Sequence, residues 1–176
     1  KYYNFVRFVP KFLKKALKNL GTVSTNSSKK INFGYKTKQF FHGTLHSPEE
    51  AHYLWRNFFH PEERISILGE QHRELVNDTD PFHIFKRYYD AVRDLEKLDR
   101  NLYVDGMTWL PEDILVKVDR ASMQSSLEVR CPYLDFNLAS YAASIPSELK
   151  MKGMKTKYIL KKALKDVVPG FVLSKK

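Results

Sequence analysis

The sequence predicts a mainly α-helical domain, and three observations carry that prediction. Apolar side chains recur at three- and four-residue steps along much of the chain. Ser-Pro-Glu, His-Pro-Glu, Asp-Pro and Pro-Glu-Asp strings stand at the heads of these stripes, where first-turn residues belong. With 176 residues, 43% of them hydrophobic, and 12 Phe, 10 Tyr and 2 Trp, the chain is apolar enough to fold and long enough for one sizeable core.

Each element follows in order. Phe5, Phe8, Val9, Phe12, Leu13, Ala16, Leu17 and Leu20 alternate with Lys11, Lys14, Lys15 and Lys18, which predicts a basic amphipathic helix over 1–20, kinked or started by Pro10. Packing on its own domain is favoured over an acidic membrane surface. Residues 21–47, rich in Ser, Thr, Asn, Gly and Lys, form an irregular, variable connection. Residues 48–176 form the helical core. Ser47-Pro48-Glu49-Glu50 is a capping signature whose helix runs to about Phe59. His60-Pro61-Glu62-Glu63-Arg64 opens a short helix ending before Gly69. Asp80-Pro81 opens a longer one with Phe85, Tyr88, Tyr89, Val92 and Leu95 as its buried stripe, continuing in some form to Trp109. Pro111-Glu112-Asp113 starts another. Asp135 caps a helix that ends before Pro146, and Thr156 caps a last one through Val168, stopped by Pro169-Gly170.

Charge and motif content narrow the function. Residues 1–48 hold ten basic and no acidic side chains, 49–149 carry −8, and 150–176 carry +8, so the net +10 is strongly segregated. Clustered Lys invites a nucleic-acid reading. That reading is disfavoured, because Lys dominates over Arg, no nucleic-acid motif is present and the middle of the chain is acidic. Cys131 is the single cysteine, which rules out an intramolecular disulfide or a Cys-based metal module. The six histidines lack metal-site spacing, so no metal ligand is assigned. Neither GxxxxGK nor GxGxxG occurs, so the chain has no phosphate-cradling loop of its own. No apolar run is long enough for a membrane span and no leader is visible, which makes a cytosolic address the default expectation.

The chemistry concentrates in 109–135, WLPEDILVKVDRASMQSSLEVRCPYLD. Read as a helix from Pro111, it puts Leu115, Asp119, Ser122 and Ser126 on one face and Asp113, Lys117, Arg120 and Gln124 on another. An acid and two hydroxyls in line with a Leu are either a satisfied interior network or the wall of a site. Beyond the helix, Leu127-Glu128-Val129-Arg130-Cys131 alternates apolar and charged residues. An extended piece would bury Leu127, Val129 and Cys131 and project Glu128 and Arg130 together. Such a pair binds an anion, orients a substrate carboxylate, or simply pairs internally.

The run LPEDILVKVDRASMQSSLEVRCPYLD, followed by ASIPSELK and then TKYILKKALKDVVPGFVLSKK, resembles the glutamine-hydrolysing asparagine synthetase family in its ATP-pyrophosphatase synthetase domain. The resemblance is close over 109–176. Over 47–108 it extends to helical layout and a PEER-like segment, and over 1–46 only to a basic helix plus a variable connection. It implies the helical C-terminal half of an α/β adenine-nucleotide α-hydrolase-like domain, with the parallel sheet missing from this chain. It also implies that an aspartate side-chain carboxylate attacks the α-phosphate of ATP, with Mg²⁺, and that glutamine-derived ammonia from a glutaminase domain displaces AMP from the β-aspartyl adenylate.

Carried over by position, Asp119, Arg120 and Ser122 match the family's Asp-Arg-x-Ser/Thr element at the nucleotide, while Glu128 and Arg130 match its Glu-x-Arg and stand as the leading catalytic groups. Lys157 matches the Lys of a Thr/Glu-Lys-x-x-Leu element, where packing or ion pairing is as fitting as catalysis. The family's pyrophosphate-binding Lys lies in an Arg-x-Lys segment. Matching Lys175 to that Arg places the Lys one residue past the end, with Lys176 as the fallback. The Ser-Gly-Gly-x-Asp-Ser loop, the sheet that bears it and the glutaminase Cys are absent from these residues. The chain alone is therefore expected to be inactive, marginally stable, and self-associating through uncovered apolar faces. Two rivals remain: another ATP-pyrophosphatase amidotransferase with a different acceptor, and a basic helical module that binds nucleic acid or a partner.

Overall fold

A computed structural model describes residues 9, 10, 12, 40–57, 59, 61–74 and 80–174. The basic helix expected over 1–20 lies outside them except at three positions, as do most of the 21–47 connection and both Lys175 and Lys176. The chain is mainly helical and divides into two compact units, Lys1–Ala91 and Val92–Lys176.

In the first unit, residues 40–43 are helical, inside the stretch expected to be irregular. Helix α1, Pro48–Arg56, begins with the full capping box: Glu50 N–H donates to Ser47 Oγ at 3.2 Å, and Ser47 N–H donates to Glu50 Oε2 at 2.8 Å. It stops at Asn57, short of Phe59, where the backbone turns extended. Helix α2, Pro61–Leu68, ends at Gly69, whose φ of 82° suits a residue without Cβ. A 3₁₀ turn spans Glu70–His72, and helix α3 spans Phe82–Ala91.

The core of this unit is aromatic. Ala51, Tyr53 and Leu54 of α1 are buried, as are Phe85 and Tyr89 of α3. Tyr53 meets Phe82 and Phe85 with ring centroids 5.4 Å apart, and Phe85 meets Tyr89 at 5.7 Å. Each such pair adds about 0.5–1.5 kcal/mol beyond its buried area. Buried His52 hydrogen-bonds the Tyr89 hydroxyl through Nδ1, so both polar tips are satisfied inside the core. Gly43 sits so close to Trp55 that a Cβ would come within 2.5 Å of its indole nitrogen.

In the second unit, helix α4 covers Lys97–Met107. The long helix expected from Asp80 to Trp109 is thus interrupted at 92–96, and Leu95 of its stripe is exposed. A π-helical turn, Leu110–Leu115, then leads into α5, Val116–Gln124. Pro111 lacks an N–H and its ring crowds the preceding turn, which accounts for a widened start where an ordinary α-turn was expected. A 3₁₀ turn at Pro132–Leu134 precedes α6, Phe136–Ser144, which Asp135 caps by accepting from Leu138 N–H at 2.9 Å.

Helix α7, Ser147–Lys150, runs into a small antiparallel hairpin of β1, Met151–Lys152, and β2, Lys155–Thr156, turned at Gly153 with φ 62°. Thr156 therefore lies in a strand and caps nothing. Left-handed Lys157 precedes α8, Tyr158–Ala163, which ends five residues earlier than expected. Pro169-Gly170 opens α9, Gly170–Ser174, where it was expected to stop a helix.

Among the described residues of this unit, only Val104 and Ser147 are buried. A polar clasp does part of a core's work. Asp99 Oδ1 accepts from Lys150 Nζ at 2.7 Å, Asp99 Oδ2 accepts from Ser147 Oγ at 2.8 Å, and Lys150 also donates to the Ala143 carbonyl at 2.9 Å. Burial alone pushes the Asp99 carboxyl up, but the bonds from Lys150 and Ser147 and the ammonium charge outweigh it and hold the carboxyl below its ordinary 3.8. No described helix is long and apolar enough to cross a membrane.

Candidate functional site

The residues singled out by the sequence fall on two consecutive pieces of the second unit. Asp119, Arg120 and Ser122 lie on α5. Asp119 and Arg120 are exposed, and neither makes a side-chain hydrogen bond or ion pair among the described residues. Ser122 is half-buried, and its hydroxyl donates to the Asp119 carbonyl at 3.0 Å, a local back-bond. Of the face read as an interior network or the wall of a site, Leu115 and Ser122 are thus half-buried and Asp119 and Ser126 exposed. On the other face, Asp113 and Lys117 pair at 2.5 Å, as their spacing required.

Helix α5 ends in a Schellman arrangement. Ser126 N–H donates to the Met123 carbonyl at 3.0 Å, Leu127 N–H donates to the Ser122 carbonyl at 2.9 Å, and Ser126 itself is left-handed with φ 54°. The chain then continues from Leu127 without joining any ladder, and its backbone is extended at Cys131. Leu127, Val129 and Cys131 were expected to be buried. All three are exposed, since among the described residues nothing covers that side.

Glu128 and Arg130 do stand together. Arg130 Nε donates to Glu128 Oε1 at 2.7 Å, and Nη2 approaches the same oxygen at 2.5 Å. Both side chains are open to solvent, Arg130 88% and Glu128 71%, so Coulomb attraction between them is heavily screened. Because one carboxylate oxygen takes both contacts, the other keeps its capacity to accept, and the guanidinium keeps N–H donors for an anion. No hydrogen bond or ion pair joins this couple to Asp119, Arg120 or Ser122 among the described residues.

Lys157 is left-handed and its carbonyl accepts from Lys161 N–H at 2.9 Å, so its backbone anchors the first turn of α8. The three side chains of the clasp, by contrast, were not visible in the sequence: Asp99 and Lys150 lie 51 positions apart and carry no shared motif. An open depression in the first unit is lined by Tyr53, Asn57, Phe59, Arg64 and Pro81, and none of these belongs to the 109–135 stretch. Among the described residues no three His, Cys, Asp or Glu side chains converge as a metal site requires.

Comparison with known proteins bears on this arrangement directly. The family described as asparagine synthase matches residues 12–176. Glutamine-hydrolyzing asparagine synthetase 1 of Bacillus subtilis is 41% identical over 93 residues, covering 53% of this chain and 15% of that protein. A putative glutamine-hydrolyzing asparagine synthetase of Mycobacterium tuberculosis is 31% identical over 170 residues, covering 94% of this chain and 24% of that protein. A Penicillium rubens protein named as an amidase is 34% identical over 73 residues, covering 38% of this chain and 11% of that protein. This chain thus spans a quarter or less of the length of these relatives. No solved structure matches. The match across nearly the whole chain shows that it belongs to the asparagine synthase family.

Proposed function

We propose that this chain is the helical C-terminal part of the synthetase domain of a glutamine-dependent asparagine synthetase. That enzyme adenylates the aspartate side-chain carboxylate with ATP and hands ammonia to it in the cytosol. The observation that carries the reading is the family match over 12–176, joined to the Asp-Arg-x-Ser and Glu-x-Arg elements at 119–122 and 128–130.

In this reading, Arg130 supplies fixed positive charge where the phosphate and carboxylate of two anionic reactants must be held in contact. Glu128 holds the guanidinium in place and keeps one oxygen for a proton or a hydroxyl of the adenylate. Asp119, Arg120 and Ser122 line the nucleotide side, and Lys176, or the residue after it, meets the pyrophosphate. Mg²⁺ would enter with the triphosphate. The described residues offer it no three-ligand set, so no step is assigned to it here. The phosphate loop, sheet and glutaminase lie outside these 176 residues, which alone are inactive.

The exposed apolar side chains of the second unit support this reading. Phe136, Tyr141 and Phe171 stand open, as the covering face of a larger domain would.

Two experiments test the proposal. Incubated with ATP, Mg²⁺, aspartate and ammonia, the chain releases no pyrophosphate; steady release would refute the assignment of the missing half. Grafting 109–176 into the Bacillus subtilis synthetase in place of its own segment preserves asparagine formation, and Glu128→Ala or Arg130→Ala in that chimera abolishes it. Retained activity in both variants removes the pair from the site.

A further inference from the structure

The geometry points to Ser126 as a positioning residue: its left-handed backbone, and not its hydroxyl, presents the Glu128–Arg130 pair. The inference rests on the proposed function for what the pair does, and on the structure alone for how the pair is held.

Among the described residues, Ser126 and Lys157 are the only residues other than glycine with positive φ. A side chain with a Cβ pays for that conformation, and it persists where the surroundings require it. At Ser126 the requirement is visible. Bonds from Ser125 and Ser126 to the carbonyls of Ser122 and Met123 close the last turn of α5, and the further bond from Leu127 N–H back to the Ser122 carbonyl is reached because residue 126 is left-handed. The stretch that follows pairs with no strand, and its Leu127 and Val129 are exposed. Glu128 is two residues beyond the turn. With no ladder and no packing to correct it, the direction in which the chain leaves Ser126 sets where Glu128 and Arg130 stand relative to α5 and its Asp119.

The hydroxyl is dispensable by the same evidence of bonding: Ser126 is exposed, and its side chain makes no hydrogen bond among the described residues. Glycine and asparagine adopt the left-handed region readily, alanine less so and β-branched valine least. A backbone role therefore predicts the order Gly, Asn, Ser, Ala, Val. A hydroxyl role predicts that Thr is retained and that Gly and Asn are lost.

The test uses the whole 176-residue chain with Ser126→Gly, Ser126→Asn, Ser126→Thr and Ser126→Val. The Arg130 signature is the orientation of its backbone amide relative to the amides of α5, read by NMR residual dipolar couplings, with amide exchange in α5 confirming that the helix persists. Gly and Asn keep the Arg130 signature, whereas Val and Thr lose it with α5 intact. In the Bacillus subtilis chimera, Val lowers kcat for pyrophosphate exchange on the order of a hundredfold with little change in the KM for ATP, and Gly restores it. If the signature and the rates survive in Val, or if Thr is retained while Gly is lost, the inference is overturned. If the wild-type chimera is inactive while the Gly-to-Val order holds in the Arg130 signature, the inference stands and the proposed function falls.

Discussion

The two units of this chain spend their apolar residues differently. In the first, the rings of Tyr53, Phe85 and Tyr89 close over one another and even a histidine is sealed inside. In the second, Phe136, Tyr141, Val167 and Phe171 are each at least two-thirds exposed, and Val104 is the one described hydrophobic residue that is buried. Both sequences have ample apolar content. Burial, however, is a property of what lies opposite a side chain, and only the first unit supplies its own opposite side.

That contrast can be broken or sharpened by experiment, using the two tryptophans as reporters, since Trp55 belongs to the first unit and Trp109 to the second. The largest effect is expected from Tyr89→Ala. It opens a cavity at a 2% exposed site and removes the hydroxyl that His52 Nδ1 bonds, costing about 3–5 kcal/mol in denaturant unfolding followed at Trp55. An unchanged midpoint would mean that the aromatic cluster carries no stability.

Next, Lys150→Met leaves Asp99 with only Ser147 and costs about 1–3 kcal/mol at Trp109, with no change at Trp55. The same clasp makes the second unit acid-sensitive. Asp99 has a lowered carboxyl pKa in the folded state, so its stabilisation is fully present above about 3.8 and is lost as pH falls through the lower folded value. Asp99→Asn should flatten that acid limb in a pH series of melts; a limb of unchanged slope assigns it elsewhere.

Smaller still, Ser47→Ala removes the cap of α1 for about 1 kcal/mol at Trp55. Least of all, Phe136→Ser and Phe171→Ser should stay within about 0.5 kcal/mol at Trp109, because neither side chain is covered in this chain, while sedimentation shows reduced self-association. A large loss of stability in either would show that these rings are buried in solution.

How much of this was legible beforehand depends on the range of the forces involved. Local chemistry read well: the Ser47–Glu50 box, the Pro61 start and the Asp135 cap each act within one turn and stand where the sequence put them. Features set by distant partners did not. No breaker residue marks the interruption at 92–96, and the helix after it is tied through Asp99 to residues 48 and 51 positions away. The alternation at 127–131 was read as a half-buried strand, but the side that would bury Leu127 and Val129 is not among the described residues. Ser126 was placed on a helical face. Its true part is to end the helix, and Ser in place of Gly hid the signal that turn usually gives. The candidate site residues were assigned through the family resemblance, and both their place in a site and their chemical roles remain the proposal above.

The Asp99–Lys150 clasp has a consequence for assembly. It draws the 109–135 stretch into a noncovalent ring whose ends are joined within the unit itself. A docking surface then has to seat a preformed hoop and need not gather two loose ends, sparing most of the loop-closure entropy. Untying the hoop should accordingly widen the range of conformations open to 109–135 while leaving the helices at its two ends in place.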